Sequence, residues 1–94
     1  MIKHVVCFKL KEGESVKKAV EVLSSMRGNV PMIINMEVGE DFLKSPRSYD
    51  IILTVTLKSK EVLDDYQNDP YHVGVVKKHM HAVVASSIAV DYEF

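Results

Sequence analysis

Four histidines, His4, His72, His79 and His81, are the side chains in this sequence best able to move a proton near neutral pH. His72 follows Asp69-Pro70-Tyr71, which places it in the first turn of a helix that Pro70 opens and Asp69 can cap. There the positive end of the helix dipole opposes a further positive charge. A neutral imidazole that can accept a proton is the state a general base requires. His72 is therefore the expected base, against the plainer reading of a histidine that packs or hydrogen-bonds at a helix start. Tyr66, six residues earlier, is placed to hold or polarise that imidazole. His4 stands in an apolar run, where a buried imidazole needs a partner, and the Tyr66 hydroxyl is the expected one. If the three converge, they form a small polar group in an apolar cavity, the composition of a small-molecule pocket. Tyr49 either lines that cavity or packs in the core.

The remaining candidates offer less. His79 and His81 are two apart and fall on different sides of a helix, while His72 and His79 are separated by roughly 10.5 Å of helix rise, too far for one ion. No metal site is expected from them, and both are assigned to the surface or rim. Cys7 is the single cysteine, with no helix start or histidine beside it to favour a thiolate, and is read as a small apolar packer of an intracellular chain. Lys17-Lys18 and Lys77-Lys78 are short basic pairs on solvated helix faces, and Gly28, Gly39 and Gly74 are isolated, so no phosphate loop exists. Twelve Lys+Arg against thirteen Asp+Glu leave a net charge of -1, which excludes a basic field for nucleic acid. Ninety-four residues suit one domain, 1–94. The apolar run Ile2–Leu10 is broken by Lys3, His4 and Lys9 and is too short for a leader or a membrane span, so a cytoplasmic protein is expected.

The elements that must position these residues follow from periodicity. Ile2–Leu10 alternates as a strand with Ile2, His4, Val6, Phe8 and Leu10 on one face. Ser15 to Arg27 carries Val16, Ala19, Val20, Leu23 and Met26 at helical spacing and stops at Gly28. Met32–Gly39 and Tyr49–Leu57 read as antiparallel strands joined by a long polar loop. Ser59 caps a short helix that ends at Asn68, a second helix runs from Pro70 to about Ala85, and Ile88–Phe94 alternates as a last strand. This order, β-α-β-β-α-β, is the plan of a ferredoxin-like α+β sandwich with an antiparallel sheet. Its helices cover one sheet face. Val5, Cys7, Ile33, Ile52 and Ala89 are expected on the other, and a second copy packed sheet against sheet would cover them. The alternative is a monomer with a weakly polar open face.

The segment Asp64-Asp65-Tyr66-Gln67-Asn68-Asp69-Pro70-Tyr71-His72-Val73, with Ile2-Lys3-His4-Val5-Val6 and Arg47-Ser48-Tyr49-Asp50, resembles the stress-responsive dimeric α/β-barrel (Dabb) family over essentially the whole chain. The resemblance implies a homodimer whose two sheets form a shared α/β barrel. It extends to a plant polyketide cyclase that closes a ring by intramolecular aldol condensation without cofactor or metal. That likeness implies that His72 is catalytic, that Tyr66 accompanies it, and that His4 is the pocket histidine of strand one. A further pocket histidine of that relative falls at Ile51 here, so its substrate does not carry over. Some plant members hold magnesium, but no carboxylate set in this chain transfers that feature. The expectation is a cofactor-free lyase, cyclase or isomerase acting on a hydrophobic or aromatic carbonyl compound, with His4, Tyr49 and Ile51 as substrate contacts. The alternative is a stress-responsive binding or structural protein with the same cavity and no reaction. Nothing in the chain marks a third class, the cofactor-free oxygenases of related barrels.

Overall fold

The computed structural model describes residues 1–94. Its elements are β1 (Ile2–Leu10), α1 (Val16–Ser24), β2 (Asn35–Glu40), β3 (Ile51–Leu57), α2 (Lys60–Gln67), a π-helical segment (His72–Lys77) that runs into α3 (Lys78–Val83), and β4 (Val84–Glu93). The strands form one antiparallel sheet in the order β2-β3-β1-β4, and the helices pack on one side of it, a ferredoxin-like α+β arrangement.

Register explains which residues become core. Ile2 lies opposite Leu57, His4 opposite Val55 and Val6 opposite Leu53, so the alternating apolar set of β1 faces that of β3 on the helix side. Ala19, Leu23 and Met26 of α1 and its following turn close over this face and are fully buried. The Ser15 side chain accepts from the Lys18 amide at 3.0 Å and starts α1. The helix ends three residues earlier than its apolar stripe predicts. Beyond Ser24 the amides of Met26 and Arg27 bond three residues back, and the Ser25 hydroxyl takes the Val22 carbonyl at 2.6 Å. Gly28, at φ 84°, then reverses the chain.

Other boundaries move for equally local reasons. The β3 ladder begins at Ile51, not Tyr49, because the Asp50 carboxylate accepts from the Leu10 amide at 2.8 Å and closes that end of the sheet. Ile33 precedes β2 and packs against the core. The last helix gives way to β4 at Val84, so the final strand is longer than its alternating tail indicates.

The open face also differs from its expected make-up. Ala89 pairs with Val6 and therefore lies on the helix side, whereas Ile88, Val90 and Tyr92 pair with Cys7, Val5 and Lys3 on the open face. Ile52 sits beside Cys7 on the same face. Alternation along a single strand cannot tell which set points outward; the pairing with β1 decides it. Half-buried Val5 and Cys7 are thus flanked by exposed Ile52, Ile88, Val90 and Tyr92, a contiguous apolar surface.

Candidate functional site

The chain between α2 and the π-helical segment fixes the site. At Asn68 the backbone amide and the side-chain amide both bond the Asp64 carbonyl, ending α2, and Pro70 starts the next turn. Asp69 contributes its backbone carbonyl, which accepts from the Val73 amide at 2.9 Å; its buried carboxylate makes no such cap, contrary to expectation. The Tyr71 hydroxyl donates to Ser25 Oγ at 2.7 Å, and Ser25 donates onward to Val22, pinning this turn to the end of α1. His72 is held between these anchors and is 7% exposed.

The hydrogen bonding of His72 assigns its tautomer. Nδ1 lies 2.9 Å from the backbone carbonyl oxygen of Tyr66. A carbonyl can only accept, so Nδ1 carries the proton and, in the neutral ring, Nε2 carries the lone pair. Burial lowers the imidazole below its ordinary value of 6.5, and the positive charges of Lys77 and of a protonated His4 act in the same sense. The bond to Tyr66 and the Asp69 carboxylate act the other way. The ring is therefore neutral at physiological pH with a defined basic nitrogen.

A pH dependence of stability follows. Since the folded imidazole titrates below 6.5, the unfolded chain takes up a proton there first. Stability is unaffected by this group above that value, falls as pH drops from it toward the lower folded value, and levels once both states are protonated. His72→Gln removes the titration and should flatten this part of the Tm-against-pH curve between pH 7 and 5. An unchanged slope would assign the effect to other groups.

Tyr66 is fully buried and touches both imidazoles, with ring centroids 4.3 Å from His72 and 5.7 Å from His4. Its hydroxyl, however, points to Met26 Sδ at 3.7 Å, and desolvation raises its pKa far above the ordinary phenol range. Tyr66 thus orients His72 through its main-chain carbonyl and its ring face, not through the hydroxyl. Nor does that hydroxyl serve His4, whose Nδ1 instead meets the Asp91 carboxylate. This places the Nδ1 proton of His4 against Asp91 and directs the function of the ring to Nε2.

His4, Tyr66 and His72 line one cavity of about 250 Å³ between the sheet and the helices. Val6, Phe8, Leu23, Leu53, Val76 and Met80 make its apolar walls, and Gln67, Lys77, His81 and Ser87 add polar groups. Lys77 is there because of the π-helical segment. In an α-helix, five residues turn through 500°, which would set Lys77 about 140° away from His72. The i→i+5 step of a π-helix instead brings position 77 beneath position 72, and the Lys77 ammonium donates to the Gln67 carbonyl at 2.9 Å. No group of three or more His, Cys, Asp or Glu side chains gathers here in a metal-binding arrangement.

The model of the Stress responsive A/B Barrel Domain, Dabb, matches residues 2–94. The chain belongs to the Dabb family. A dimeric ferredoxin-like protein of unknown function from Thermobifida fusca resembles this Dabb chain with a TM-score of 0.86 at 21% identity, covering 99% of this chain and 90% of that one. A dimeric protein of unknown function and ferredoxin-like fold from Bacteroides fragilis gives 0.77 at 27% identity, with 99% and 95% covered. The hydroxynitrile lyase from Passiflora edulis gives 0.74 at 17% identity, with 97% and 90% covered. No curated protein matches the sequence.

Two predicted contacts lie outside the Dabb chain's histidine-lined cavity. Tyr49 lines a separate groove with Cys7, Phe42 and Arg47, because it precedes β3 and borders the open-face residues Cys7 and Ile52. Ile51 is 2% exposed and belongs to the core; the β3 residue that reaches the cavity is Leu53. His81 lies at the exposed rim of the cavity, while half-buried His79 does not line it. Sequence reasoning missed Asp91 and Lys77. Pairing the alternating tail antiparallel to β1 would have placed Asp91 opposite His4. No residue in His72–Lys77 announces the π-helical step. No helix is long and apolar enough to cross a membrane.

Proposed function

We propose that this Dabb protein is a homodimer that binds a small hydrophobic carbonyl compound in the cavity of each subunit. There it catalyses cofactor-free carbon-acid chemistry of the lyase, cyclase or isomerase class. The observation that carries this is the bond from His72 Nδ1–H to the Tyr66 carbonyl, which leaves Nε2 as the basic nitrogen of a side chain that lines a mostly apolar cavity. His72 Nε2 takes a proton from the carbon next to the carbonyl, and the C–H electron pair becomes the enolate. The enolate then either adds to a second carbonyl or is reprotonated at another carbon. His72, now an imidazolium, returns that proton from Nε2 to oxygen or carbon, and His4, held by Asp91, is the second imidazole lining the reacting centre. The hydroxynitrile lyase among the neighbours supports a lyase reading. The dimeric neighbours support the homodimer, as does the apolar open face. The protein is expected to act in the cytoplasm.

A second reading, a binding protein with no reaction, is favoured by one feature. The Tyr66 hydroxyl faces Met26 and takes no part in a proton relay. Deuterium wash-in separates the two. Phenylacetone incubated with the protein in D2O should exchange its α-protons faster than in buffer with matched free imidazole. Exchange no faster than that control supports the binding reading.

A further inference from the structure

Lys77 is the only fully charged side chain lining the cavity, and no carboxylate answers it. The lining contains Lys77, three histidines, Gln67 and Ser87, but neither Asp nor Glu. The ion pairs of the molecule are His4 with Asp91 and Lys60 with Glu93, so Lys77 lies within 4 Å of no acidic group. It is half-buried, and its ammonium spends one of three donors on the Gln67 carbonyl at 2.9 Å. That bond anchors the nitrogen across the gap between the end of α2 and the π-helical segment, leaving two N–H groups for a ligand. The same cation opposes protonation of His72, which shows that its field reaches the base.

A cation partly withdrawn from water and lacking a counter-ion is an incomplete arrangement. An ionised acid entering the cavity would complete it with charge-assisted hydrogen bonds. We propose that Lys77 is a specificity residue that selects ligands carrying a carboxylate on a compact apolar body, with the carboxylate at Lys77 and the apolar part among Val6, Phe8 and Leu53. The cavity holds about 250 Å³, the share of about eight waters, which suits a single ring with a short acidic arm. This deepens the proposed function, since it rests on the cavity being a ligand site and names the class of ligand it takes. The carboxylate also offsets the positive charge of Lys77 that opposes protonation of His72, so binding an acid makes the imidazole a stronger base.

Titration of the protein with phenylacetate and, separately, its neutral isostere phenylacetamide, followed by amide NMR shifts, tests the assignment. Phenylacetate should bind about tenfold more tightly than phenylacetamide, and the preference should shrink as salt is raised. Lys77→Met should abolish the preference while leaving phenylacetamide binding in place, and Lys77→Arg should retain most of it. Equal binding of the two probes by the wild type, or a preference that survives Lys77→Met, overturns the role of Lys77 and leaves the base assignment untouched. If neither probe shifts His4, His72 or Leu53 at millimolar concentration, the cavity is not a ligand site and both proposals fall. Should Lys77→Met not fold, Lys77→Gln, which keeps an N–H donor and removes the charge, takes its place: loss of the preference supports the role of Lys77 and a surviving preference overturns it.

Discussion

His72→Ala should reduce α-proton exchange by about a hundredfold to ten-thousandfold, the range lost when a positioned acid-base group is removed. That corresponds to about 3–5 kcal/mol of transition-state stabilisation. The effect is large because the base itself is lost; the Tyr66 hydroxyl points at Met26, and His4, whose Nδ1 meets Asp91, stays as the second imidazole of the cavity and accounts for the residual exchange. The cost to stability is smaller, since the substitution leaves the Tyr66 carbonyl without its donor, a loss of about 1–3 kcal/mol. The variant should therefore fold. Exchange and melting measured on the same preparation distinguish the cases. A folded variant with full exchange would remove His72 from the chemistry, and one that loses both folding and exchange would make it a structural residue.

Val90→Asp is expected to dissociate the proposed dimer. Val90 is 61% exposed on the protomer and pairs with Val5 in the middle of the apolar open face. A carboxylate there costs an isolated subunit little, because water still reaches it. In a sheet-to-sheet dimer two such carboxylates are withdrawn from water without partners, at several kcal/mol each. The dissociation constant should rise at least about a thousandfold, so that light scattering after size exclusion reads a monomer at micromolar concentration. The His72 environment lies on the other side of the sheet and should keep its NMR signature. A variant that stays dimeric would place the interface elsewhere.

Much of the architecture is legible because two periods carry it. The β1 alternation and the α1 stripe each bury one side, and the polar loop between β2 and β3 separates two apolar runs. Boundaries drift where side chains compete with the backbone, as Ser25 does at the end of α1 and Asp50 at the start of β3. Within the site, His4, Tyr66 and His72 can be named from sequence because a buried polar residue in an apolar pattern stands out. Their partners cannot. Asp91 reaches His4 through the pairing of strands 87 residues apart, and the Tyr66 carbonyl reaches His72 through a main-chain atom that every residue possesses. Lys77 escapes notice because helical spacing assigns it to solvent, and only the wider π-helical turn brings it into the cavity.

The tautomer of His72 is open to direct observation by two-dimensional nitrogen NMR of the imidazole ring at pH 7. A protonated Nδ1 with a high-frequency, unprotonated Nε2 is the expected signature of a neutral base held by the Tyr66 carbonyl. A ring protonated on both nitrogens at that pH, or one carrying its single proton on Nε2, would contradict the assignment of His72 as the base.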